Sequence, residues 1–159
     1  MIKILFICTG NICRSPMAEF ILKDMVRRRG IKEEFLIDSA GISMEEYGNP
    51  VYPPARKILA EHGIGCSGHH ARQIERSDYQ KYDYIIAMEQ YHARRIAHQT
   101  GGDPEGKIYL MLDFAGQSGD IDDPWYTGDF KTVYRQICAG CEGLLAHLER
   151  EGQLRPGRS

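Results

Sequence analysis

A three-layer α/β fold, with a four-stranded parallel sheet flanked by helices and a ligand loop at the end of the first strand, is what this sequence of 159 residues predicts. Two observations carry that prediction. Short, nearly continuous apolar runs recur along the chain, as strands covered on both faces require. Each run is separated from the next by sequence of helix length, which is the spacing of βαβ units. The length suits one domain, assigned to 1–151, with 152–159 as a frayed tail because Pro156 and Gly157 lie in it.

Ile2 to Ile7 is the first strand. After it, Ser15 reads as a helix cap and Pro16 as the first helical residue, with Met17, Phe20, Ile21, Leu22 and Met25 on one apolar face and Gly30 as the stop. Phe35-Leu36-Ile37 is the second strand. Pro53-Pro54 then introduces a helix from Ala55 to His62, with Ile58 and Leu59 inward, ended by Gly63. Tyr84 to Met88 and Ile108 to Leu112 are the third and fourth strands. From Phe130 to Glu151, Val133, Ile137, Cys141, Leu144 and Leu148 recur at three- and four-residue steps, the pattern of a long amphipathic helix. Gly140 and Gly143 inside it each cost about 1 kcal/mol relative to Ala, so that helix must rest on packing.

Twenty Lys and Arg stand against 22 Asp and Glu, a formal charge of −2. That balance gives no reason to expect nucleic acid or a membrane surface as a partner. No run approaches the roughly 20 apolar residues of a membrane span, and the N-terminus lacks an export signal, so a cytoplasmic location is expected. Five cysteines, an odd number, argue against a disulfide framework and for a reducing compartment.

The chemistry concentrates in Cys8-Thr9-Gly10-Asn11-Ile12-Cys13-Arg14-Ser15-Pro16. Cys8 and Arg14 bracket five residues, Thr9 to Cys13, a loop short enough to curl its backbone N–H groups around one anion while the helix N-terminus adds donors and a positive dipole. The same field favours a cysteine thiolate over the thiol. Arg14 keeps its proton and presents a planar fork that fits two phosphoryl oxygens. Gly10 permits close approach of the backbone, Asn11 tolerates the left-handed conformation of a curled loop, and Ser15 can donate to the sulfur. A buried thiol beside a solvated arginine would need neither the Gly-Asn pair nor the Ser-Pro. No Gly-Lys-Ser/Thr closes the loop, so nucleotide binding of the Walker type drops out.

With this loop and the later Asp123-Pro124-Trp125-Tyr126, the sequence resembles the low-molecular-weight protein tyrosine phosphatases. The likeness spans nearly the whole chain, through Asp38-Ser39-Ala40-Gly41, His69-His70-Ala71-Arg72-Gln73 and the Asp83 to Met88 segment. It implies hydrolysis of phosphotyrosine in a protein substrate through a phosphocysteine at Cys8, with Arg14 and the loop amides on the phosphoryl group, Asp123 as general acid, and neither metal nor cofactor. It further implies that Asn11, Ser15, Ser39 and His69 hold the loop, and that Ile12, Tyr47, Trp125 and Tyr126 wall a cleft for a flat aromatic phosphoester. The chain departs from familiar members, which often carry Tyr where Trp125 stands and Trp where Tyr47 stands. A related branch that dephosphorylates arginine tends to carry Thr at the position of Ile12 and Gly-Gly after its Asp-Pro-aromatic; Ile12 and Trp125-Tyr126 favour phosphotyrosine.

Three other functions share parts of this pattern. Thioredoxin-coupled arsenate reductases share the fold and loop but need two further cysteines near the third strand, and Tyr82 to Glu89 has none. His62, Cys66, His69 and His70 lie close in sequence but lack the paired spacing of structural zinc sites. A phosphate-binding module without turnover would keep Arg14 and could dispense with Asp123. Cys13, five residues from Cys8, is a candidate redox partner that would capture an oxidised Cys8 as a disulfide, while Cys138 and Cys141 are expected in or near the core.

Overall fold

The computed structural model describes residues 1–154. Four parallel strands, β1 (Ile2–Cys8), β2 (Phe35–Gly41), β3 (Tyr84–Ala87) and β4 (Ile108–Leu110), form one sheet in the order β2-β1-β3-β4. Because the first strand lies centrally, Ile4 to Ile7 are fully buried, which is why that run carries no polar alternation. Its residues divide between two cores. Ile4, Phe6 and Cys8 join Met17, Ile21, Leu22, Ile137 and Leu144 on one face, under the helices α1 (Arg14–Arg28), α2 (Pro53–Glu61) and α7 (Phe130–Arg150). Leu5 and Ile7 join Ile85, Ala87 and Ile96 on the other, where α3 (Asp78–Lys81) and α4 (Gln90–Thr100) lie. The predicted three-layer architecture is the one observed.

Several boundaries differ for physical reasons. β2 runs on past its apolar residues through Asp38-Ser39-Ala40-Gly41, because pairing with β1 continues to Cys8↔Gly41. The fourth strand stops at Leu110, and Met111–Phe114 turns into a short helix, α5, that sends Met111 and Leu112 into the core beneath α7. α1 starts at Arg14 with Cys13 at the cap position and no side-chain cap, so Ser15 is not the cap and Pro16 sits within the first turn, where its missing N–H is harmless. Of the tail expected to fray, Gly152 to Leu154 are held: Gln153 N–H donates to the Leu148 carbonyl and Leu154 is buried in the core. The remaining tail residues, 155–159, lie outside the described residues.

The two glycines of α7 have a steric purpose. A Cβ at Gly143 would run into the Phe114 carbonyl, and one at Gly140 into the Met111 side chain. α5 and α7 therefore pack backbone to backbone, and this contact supports the helix that propensity alone disfavours.

Candidate active site

The carboxyl end of β1 delivers Cys8 to the start of a loop that closes at the N-terminus of α1. Within it, Asn11 adopts φ 61°, the left-handed conformation foreseen for it, and no other described non-glycine residue has positive φ. The loop packs on β2 at Gly41, where a Cβ would stand 2.6 Å from the Thr9 carbonyl oxygen and 3.1 Å from the Asn11 nitrogen. Only glycine permits that approach.

Cys8 is 2 % exposed and its Sγ lies 3.0 Å from the Ser15 Oγ. The Arg14 side chain is buried, its Nη1 donating to the Glu89 carboxylate and to the Ile121 carbonyl, each at 2.6 Å. Nη2 of the same guanidinium is 3.5 Å from Asp123 Oδ2. Asp123 caps the short helix α6 (Pro124–Thr127), its other carboxylate oxygen accepting the Trp125 N–H at 3.0 Å. The cap orients one oxygen and leaves the second toward Arg14.

These groups share a cleft of about 190 Å³, lined by Cys8 to Gly10, Ile12 to Arg14, Asp123, Trp125 and Tyr126, and also by Ser43, Glu45 and Glu46. A cysteine sulfur, a guanidinium and a quarter-exposed carboxylate thus open onto one space.

A family model described as low molecular weight phosphotyrosine protein phosphatase matches residues 3–154. The chain belongs to the low-molecular-weight protein tyrosine phosphatases. It is 41% identical over 156 residues to the low molecular weight protein-tyrosine-phosphatase YfkJ of Bacillus subtilis, covering 97% of this chain and 100% of that protein. The crystal structure of YfkJ superposes with a TM-score of 0.92 over 96% of this chain and 98% of that one. The tyrosine phosphatase PtpA of Staphylococcus aureus is 32% identical over 158 residues, 99% of this chain and 100% of its own. A Drosophila arginine phosphatase is 33% identical in sequence, with a TM-score of 0.86 over 93% of this chain and 98% of that one.

Around its loop the phosphatase builds a buried polar scaffold. Asn11 Nδ2 donates to Ser15 Oγ and Ser39 Oγ, each at 2.9 Å, and Asn11 Oδ1 accepts the Arg72 N–H at 3.0 Å. His69 Nε2 meets the Asn11 carbonyl at 2.7 Å. The four residues expected to support the loop are therefore in mutual contact through Asn11.

Other residues of the site carry no local sequence signal. Ser39 donates to Glu19 at 2.6 Å, so a nearly buried carboxylate of α1 anchors the scaffold. Glu89 and His92, at the start of α4, reach Arg14 and Thr9. Tyr52 packs against Trp125 with the rings tilted by 44° and their centroids 4.7 Å apart. Tyr47 departs from expectation: it is 68 % exposed and not among the cleft residues, whereas Glu45 and Glu46 of the same segment are. That wall is acidic rather than aromatic.

Burial, then the nearby Cys8, pushes the Cys13 thiol up, so it stays protonated at neutral pH. Cys141 is fully buried and Cys138 partly so, both on α7. His62 stacks on Tyr134 with centroids 4.0 Å apart, and His70 Nδ1 lies 3.3 Å from the Gly48 carbonyl. Among the described residues no three His, Cys, Asp or Glu side chains are grouped to hold a metal ion, and no helix is long and apolar enough to cross a membrane.

Proposed function

We propose that this phosphatase hydrolyses phosphotyrosine in protein substrates through a phosphocysteine intermediate at Cys8. The observation that supports this most is the meeting of Cys8, Arg14 and Asp123 at one cleft. With Nη1 held by Glu89 and Ile121, two phosphoryl oxygens would take the Nε–Nη2 edge of Arg14, whose Nη2 faces Asp123 at 3.5 Å. The Cys8 thiolate attacks phosphorus and the bond to the phenolic oxygen breaks. Asp123 gives its proton to that oxygen, since a phenolate with pKa near ~10 leaves slowly unaided. In the second step Asp123 takes a proton from water, whose oxygen displaces the Cys8 sulfur and yields inorganic phosphate and the thiolate. Ser15, 3.0 Å from that sulfur, steadies it both as attacker and as leaving group.

Hydrolysis of an aryl phosphate tests this reading. We expect Cys8→Ser to abolish turnover and Asp123→Ala to slow it by about 10²–10⁴-fold, most strongly for poor leaving groups. Full activity in Cys8→Ser would overturn it.

The choice of phosphotyrosine rests on a buried apolar Ile12 and on Trp125 and Tyr126 at the cleft. The similarity to the Drosophila arginine phosphatase supports phosphoarginine as the second reading. Turnover of matched phosphotyrosine and phosphoarginine peptides separates the two, and a higher kcat/KM for phosphoarginine would reverse the order.

A further inference from the structure

His92 is completely buried at the start of α4, yet the reaction described above assigns it nothing. Its two ring nitrogens have different partners. Nδ1 lies 3.2 Å from the Glu89 backbone nitrogen, whose N–H can only donate. Nδ1 must therefore hold a lone pair, and the proton of the neutral ring is on Nε2. Nε2 in turn lies 2.9 Å from Thr9 Oγ1. The ring thus donates to the Thr9 hydroxyl, and the hydroxyl's own proton is released for another acceptor. Thr9 lines the cleft next to Cys8, where a phosphoryl oxygen would be that acceptor.

We infer that Thr9 binds the phosphoryl group through its side-chain hydroxyl as well as its backbone, and that His92 is the positioning residue that fixes the direction of that hydroxyl bond. This deepens the proposed phosphatase reading and rests on it. Burial first, and then the charge on Arg14, favours a neutral ring at His92. Arg14 disfavours a second positive charge, and although Glu89 Oε2 is 3.5 Å from Nε2, burial dominates and holds the imidazole down to about 3. Were the ring protonated at Nδ1, its N–H would point at the Glu89 N–H and the start of α4 would lose that bond.

Four variants and one spectrum test the inference. Thr9→Val keeps the shape and removes the hydroxyl; it should weaken competitive inhibition by inorganic phosphate, and lower kcat/KM for an aryl phosphate, by roughly tenfold or more, as expected for a hydrogen bond to a charged group. Thr9→Ser should restore most of both. His92→Phe should raise the phosphate inhibition constant too, and combining it with Thr9→Val should give less than the product of the two losses. In the unaltered protein, nitrogen NMR of His92 should report the Nε2–H tautomer across neutral pH. A Nδ1–H tautomer, or a phosphate inhibition constant within twofold of wild type in a folded Thr9→Val, would overturn the inference while wild-type turnover left the phosphatase reading intact. Absence of turnover in the wild type would instead remove that reading.

Discussion

At the scale of single residues, burial sets the state of the second sulfur of the loop. Cys13 shares the loop with Cys8 but is kept a thiol by burial and by its neighbour, so it does not compete for phosphorus. A short exposure to iodoacetate at neutral pH should therefore modify Cys8 and leave Cys13 unlabelled by mass spectrometry, and preferential labelling of Cys13 would contradict this. We propose that Cys13 nonetheless resolves an oxidised Cys8: the Cys13 sulfur bonds to the sulfenic sulfur at Cys8, and the sulfenic hydroxyl leaves as water with the Cys13 proton. Recovery by thiol after peroxide should then be poorer in Cys13→Ser than in the wild type. His92 sets a pH dependence of stability. Its folded value, about 3, lies below the ~6.5 of an unfolded imidazole, so between them the unfolded chain binds the extra proton. Stability present above about pH 6.5 is thus lost progressively as the pH falls toward 3. The urea midpoint should drop between neutral and about pH 5, and less so in His92→Asn; parallel curves for the two proteins would exclude this account.

At the scale of elements, the contact between α5 and α7 shows how packing can reverse a propensity. Replacing Gly143 with Ala adds about 1 kcal/mol of helix propensity, yet the new methyl would overlap the Phe114 carbonyl. We expect Gly143→Ala to destabilise the fold by about 1–3 kcal/mol net, because backbone cannot yield as a flexible side chain can. Calorimetry giving an unchanged or higher Tm would mean that α5 moves freely. The long helix itself was readable from its three- and four-residue apolar steps, as was the strand that becomes β1. The turn of Met111–Phe114 into α5 was not, because a short apolar run has the same composition whether it pairs in a sheet or folds under a helix. Glu45 and Glu46 were missed for a related reason. Which residues of an irregular loop face a cleft is decided by its path between β2 and α2, not by any period.

At the scale of the whole molecule, the central β1 is what assembles the site. Its neighbours on either side, β2 and β3, bring Ser39, Glu89 and His92 to the same edge of the sheet as Cys8, where open parallel sheets bind ligands. A loop so braced is formed before ligand arrives, so an anion that fits it binds the native chain and not the unfolded one. Inorganic phosphate at about a hundred times its Kd should stabilise the protein by about 2.7 kcal/mol, read as a rise in Tm that Cys8→Ser retains. No rise in either protein would mean that the loop is not an anion site. By itself the sequence determined the fold class and the family, because its apolar runs fall at βαβ spacing and Cys8 to Pro16 is one contiguous motif at the end of the first of them. Only the tertiary structure decided what surrounds that motif. Arg14 is held by Glu89 and Ile121, 75 and 107 residues away, and the loop scaffold by Glu19 and the Arg72 backbone. Such pairs arise from strand register and crossover, which place side chains together with no periodic trace in the chain.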